Sequence, residues 1–104
     1  MKIGIPICKG FIAPRFDCAE EFLIMEITDG QTIKKHVLRC LGQNPLRRAL
    51  LMIQVPVNAI VCFRIDNFSL RLLEDHKITI ITEQSGLLED VLKHCLQRFD
   101  PEES

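Results

Sequence analysis

The half of the chain that follows Asn44 alternates helix and strand, and this alternation restricts the possible folds more than any other feature. Asn44 and Pro45 form an N-cap with proline at the first helical position, and Leu46, Ala49, Leu50 and Ile53 recur at helical spacing, leaving Arg47, Arg48 and Gln54 off the stripe. Val55 and Pro56 end that helix, Ala59 to Phe63 reads as a short apolar strand, Asp66 caps a second helix through Leu73, and Lys77 to Thr82 is a β-branched strand. Such a strand, helix, strand run implies parallel pairing, since parallel neighbours need a crossover of this length. Ser85 and Gly86 open a third helix in which Leu88, Val91, Leu92, Cys95 and Phe99 share one face, so Cys95 reads as a core residue.

The first half has a different rhythm. Lys2 to Pro6 is a short strand that Pro6 is expected to end near Ile7, since proline cannot donate to a sheet ladder. Cys8 to Glu20 is then a long connection, of the length that usually carries function, with capping-box spacing in Asp17 to Glu20 that predicts one helical turn. Glu21 to Thr28 and Gln31 to Arg39 form a hairpin about Asp29-Gly30, and the charges of Gln31 to Arg39 place it at a sheet edge. The expected architecture is α/β, with a meander leading into parallel crossovers and three helices.

A length of 104 residues with 47% hydrophobic content supports one domain over residues 1–104. The net charge of -1, with no Lys or Arg run, argues against a phosphate-tracking nucleic-acid surface. No apolar segment has the length of a membrane span and the N-terminus lacks the apolar core of a signal peptide, so the expectation is a cytoplasmic protein, monomeric or weakly dimeric. In that compartment five cysteines without compact spacing read as free thiols or metal ligands.

The topology gathers four of them. In a meander the end of the first strand, the start of the second and the end of the third meet at one sheet edge, which brings Cys8, Cys18 and Cys40 together. The crossover brings Cys62, at the end of the fourth strand, to the same edge. Lys9, Arg15 and Arg64 belong there too, as do the helix starts near Asn44 and Asp66, so an anionic ligand would meet cations and free backbone N–H groups. Thiolates in such surroundings favour soft metals, iron–sulfur, zinc or copper(I). Against this stands the ordinary role of cysteine as a small buried hydrophobe. The absence of any Cys-x-x-Cys pair argues against a closed structural zinc site. His36, His76 and His94 read as solvated or structural. No Walker loop, dinucleotide turn or hydrolase motif occurs, and Glu26 lacks the acidic partners a two-metal nuclease needs.

Met1 to Pro6 (MKIGIP) and Ala13 to Ile27 (APRFDCAEEFLIMEI), with Leu72 to Ile78 (LLEDHKI) and Ser85-Gly86, resemble the dinitrogenase iron–molybdenum cofactor-binding and biosynthesis family over nearly the whole chain. The resemblance implies a ribonuclease H-like domain with a five-stranded mixed sheet in the order 3-2-1-4-5. It also implies a non-catalytic protein that binds or carries an iron–sulfur or iron–molybdenum cluster between donor and acceptor proteins. On that basis Cys8, Cys18, Cys40 and Cys62 are the candidate metal ligands, and Lys9, Arg15 and Arg64 the anion partners. The chain departs from the family where it has Phe63, Arg64 and Asp66 in place of glycines after the fourth strand, Leu41 to Pro45 before the first helix, and Arg15 in place of a histidine. These departures keep a second reading open, a divergent regulatory or protein-interaction module that binds no cluster.

Overall fold

The computed structural model describes residues 1–29, 31–84, 90 and 93. Its strands are β1 (Lys2–Cys8), β2 (Phe11–Ile12), β3 (Glu21–Thr28), β4 (Gln31–Arg39), β5 (Ala59–Val61) and β6 (Thr79–Ile81). Two α-helices, α1 (Pro45–Gln54) and α2 (Asn67–Asp75), and a 3-10 turn over Phe16–Cys18 complete the described elements. The third helix expected from Ser85 onward, with His94 and Cys95, lies outside the described residues.

The strands form one mixed sheet in the order β4-β3-β1-β5-β6, with β2 paired to β1. β1, β3 and β4 are antiparallel, while β5 runs parallel to both β1 and β6. Side chains alternate across it and build two cores. On one face Phe22, Ile24, Ile60 and Cys62 pack with Ala49 and Met52 of α1 and Leu73 of α2. On the other, Ile3, Ile5, Ile7, Leu23, Met25 and Val61 form a second buried layer. α1 presses close to the sheet at Gly4, where a Cβ would lie 2.7 Å from the Met52 sulfur.

The helix starts follow from local chemistry. The Asn44 side chain accepts a hydrogen bond from the Arg47 backbone N–H at 2.8 Å, and Asp66 accepts one from Ser69 at 2.9 Å.

The structure corrects three local expectations. β1 ends near Ile7 as expected, pairing with β3 that far, but Pro6 lies inside the strand and does not close it. Pro6 lies past the last β1–β5 pair, Gly4 with Ile60, so its missing donor costs that ladder nothing, and its carbonyl accepts from Ala13 N–H at 2.9 Å. The connection after Cys8 is also partly a hairpin: Lys9 and Gly10 have φ of 54° and 83°, the positive values of a two-residue turn, and set Cys8 opposite Phe11. Finally, the buried residues of α1 are Arg48, Ala49 and Met52, whereas Leu46 is exposed. The helix is rotated from the stripe that hydrophobicity predicts, because Arg48 has buried carbonyls to satisfy.

Candidate functional site

The loop from Ala13 to Glu20 caps the end of the sheet and is tied down at several points. Its Phe16 is fully buried, with its ring centroid 5.2 Å from that of Phe22. Phe16 N–H donates to the Arg64 carbonyl at 2.8 Å and Glu20 N–H to the Ile7 carbonyl at 3.0 Å, which links the loop to the ends of β5 and β1. Ala13 and Ala19 are buried beside Phe16, so the loop is ordered by core packing. Asp17 lies inside the 3-10 turn, and no side chain caps the turn at Arg15; the capping box expected there does not form. Instead Asp17 holds the Arg15 guanidinium at 2.8 Å.

The four cysteines separate by depth. Cys18 is exposed on the loop, with Sγ 3.7 Å from Asp17 Oδ1. Cys8, half-buried, ends β1 beside Lys9. Its thiol is raised above its ordinary value first by desolvation, then by the charge and hydrogen bond of Glu20, with the nearby Cys18 also raising it and Lys9 opposing. Cys18 is therefore near enough to act on Cys8 at the rim.

Cys40 and Cys62 lie in the core between the sheet and the helices. The Cys40 Sγ is 3.4 Å from the Ala19 carbonyl, and burial raises its thiol against the opposing effect of Arg48. Burial alone pushes Cys62 up to about 12. The Cys40 sulfur thus sits under the loop that carries Cys18.

Arg48 is the residue that sequence reasoning missed. The residue is only 6% exposed, and its guanidinium donates to the carbonyls of Gln43 and Ala19, the latter at 2.8 Å. Neither partner is a carboxylate, and the Nε remains without an acceptor. One side chain thus joins the site loop to the turn before α1. No local pattern announces this, since an arginine at that position of an amphipathic helix ordinarily faces water.

The three expected cations occupy the same edge in different states. Lys9 is exposed on the hairpin, Arg15 is paired with Asp17, and Arg64 stacks over the Phe63 ring at 5.0 Å. Glu20 also borders a recess of about 580 Å³ together with Glu21, Arg39, Leu41 and Gln43. Among the described residues no three His, Cys, Asp or Glu side chains converge on a single ion. Two rim thiols beside a lysine suit a multinuclear cluster that brings part of its own ligand shell as sulfide, and they do not suit a closed mononuclear site. Among the described residues no helix is long and apolar enough to cross a membrane.

Comparison with known proteins agrees with this architecture. An uncharacterised protein of Methanocaldococcus jannaschii, MJ0580, is 24% identical over 102 residues, which span 93% of this chain and 86% of the relative. The crystal structure of PH0822 superposes with a TM-score of 0.88 at 14% identity and covers 100% of both chains. That of mj0327 from Methanocaldococcus jannaschii, a provisional dinitrogenase, superposes with a TM-score of 0.78 at 21% identity, over 94% of this chain and 89% of the other. At these identities the two structures speak to the mixed α/β fold alone. The model of the dinitrogenase iron–molybdenum cofactor family matches residues 1–98, and the chain belongs to that family.

Proposed function

We propose that the protein carries an anionic metal cluster of the iron–sulfur or iron–molybdenum type as cargo, without catalysing a reaction. Cys8 and Cys18 are its ligands and Lys9 and Arg15 its charge partners. The observation that carries this reading is that Cys8 and Cys18 both reach the solvent-facing rim, with Cys18 near enough for its charge to act on Cys8. Family membership supports it, as does the ordered loop that presents Cys18. Cys40 and Cys62 serve as packing beneath the site, and Arg64 shields its margin from its perch on Phe63. A carrier of this kind exchanges its cargo with donor and acceptor proteins, and ligands at a rim permit such transfer.

Ligation displaces the thiol proton, so the groups that hold the Cys8 proton make retention depend on pH. Desolvation and Glu20 favour the neutral thiol; retention therefore strengthens as pH rises and weakens as it falls.

Anaerobic reconstitution with iron and sulfide, or with isolated cofactor, tests the proposal through absorption spectra and metal counting. Stoichiometric uptake by the native chain and its loss in a Cys8→Ser, Cys18→Ser double variant are expected. No uptake by the native chain sinks the carrier role, and undiminished uptake by the double variant sinks the assignment of these ligands.

A further inference from the structure

Charge is segregated along the chain in a way that its near-neutral total conceals. Between Asp29 and Asp66 there is no Asp or Glu, whereas six Lys or Arg residues occur; all 14 acidic residues lie outside this stretch. The stretch folds into β4, α1 and β5. Arg48 is consumed inside the core and Arg64 on Phe63, which leaves Lys34, Lys35, Arg39 and Arg47 exposed along β4 and the first turn of α1.

Among the described residues β4 is also a free sheet edge. Among the described residues it pairs only with β3, and Lys34 to Val37 and Arg39 are exposed along it. Lys34 and Arg39 stand opposite Glu26 and Glu21 on β3, yet the sole ion pair among the described residues is Arg15 with Asp17. The strip carries apolar surface too, since Val37 is 49% and Leu41 72% exposed. Where β4 meets α1, a recess of about 230 Å³ is lined by Arg39, Gln43, Arg47, Leu50, Leu51 and Gln54, with leucines between two arginines.

We propose that the β4 edge and its recess dock an extended acidic segment of a partner protein, which adds to the sheet as a further strand. Edge-strand N–H and C=O groups supply main-chain pairing, and alternate side chains of the added strand face opposite sides of the sheet. On the α1 side, apolar groups meet Leu50 and Leu51, and Arg47 beside them takes a flanking carboxylate. On the other side, where the register sets Lys35, Val37 and Arg39 on one face, carboxylates meet Lys35 and Arg39. Exposed lysines usually protect an edge from self-association, and here the same charges admit an acidic strand while rejecting a second copy of this basic edge. A peptide fits better than a nucleic acid: only a peptide uses both the donors and the acceptors of a strand edge and fills a leucine-lined recess, and Glu20 and Glu21, which border the adjoining recess, repel phosphates.

The test uses the full chain and a short labelled peptide that alternates Glu with Val, followed by fluorescence anisotropy and by hydrogen exchange of the β4 amides. Saturable binding, with new protection of amides in β4, is expected. An Arg39→Glu, Arg47→Glu variant, altered only at exposed positions, should weaken binding about tenfold, with an unchanged melting temperature. A matched peptide alternating Lys with Val should not bind. Absence of saturable binding overturns the proposal, as does equal binding by a peptide N-methylated at alternate residues, which cannot pair as a strand. Equal competition for β4 by a single-stranded oligonucleotide of the same charge overturns it in favour of a nucleic-acid surface.

Discussion

Cys8 and Cys18 at the rim contrast with Cys40 and Cys62 beneath it. All four belong to one end of the sheet, but the first two touch solvent while the others have fully buried sulfur environments. Topology brings a residue to an edge; packing decides whether a ligand can reach it. Cys40 is covered because Ala19 and Arg48 close over it, and Cys62 because it lies in the layer where α1 and α2 meet the sheet.

The contrast is broken most directly through thiol chemistry. With its thiol near 12, Cys62 holds so little thiolate at pH 8 that alkylation of the native protein should be at least about a thousandfold slower there than in a free peptide. Cys18 should react within about tenfold of the free rate. Mass spectrometry of time points resolves the sites, and comparable rates for Cys18 and Cys62 would abolish the distinction.

The second effect is on stability at high pH. Cys62 moves from 9.0 in the unfolded chain to about 12 in the fold, so the unfolded state loses its proton first as pH rises. The stabilisation is complete below pH 9 and is lost progressively towards pH 12, at about 1.4 kcal/mol per pH unit and about 4 kcal/mol in all. Urea melts above pH 9 should show this slope, reduced in a Cys62→Ala variant. A slope unaffected by the substitution would mean that the sulfur is not buried as described.

Arg48 sharpens the comparison, because it joins the rim loop to the buried layer. Arg48→Met leaves the Gln43 carbonyl without its Arg48 donor and the Ala19 carbonyl with only the weak Cys40 thiol, and should cost about 2 kcal/mol. Faster amide exchange in the Phe16 to Glu20 loop should accompany that loss. If stability falls while this loop exchanges unchanged, Arg48 does not pin it.

The smallest expected effect is Cys18→Ser, within about 0.5 kcal/mol in stability because the side chain is exposed. The same variant should lose cluster retention. A large destabilisation would place Cys18 with the structural pair.

Much of the fold was legible in the residues. The caps at Asn44 and Asp66, the hairpin strands β3 and β4 and the parallel β5 and β6 all carry local signals. The β1–β2 hairpin carried one as well, in Gly10 between two apolar segments, although the Pro6 rule obscured it. The 3-10 turn over Phe16–Cys18 was misjudged because Asp17 satisfies Arg15 and not the backbone. The candidate site was less legible: its position at one edge followed from topology, but its division into reachable and buried thiols did not.

That division marks the boundary between the two sources of information. By itself the sequence determined where helices start and how the main strands are directed, since a cap bonds an N–H three residues away and strand pattern repeats every second residue. Tertiary structure alone decided that Arg48 turns inward and that Cys40 lies covered. Those outcomes depend on Ala19, which stands 29 and 21 positions from them in the chain. A buried carbonyl needs a donor wherever one comes from, and only the assembled fold brings that donor within reach.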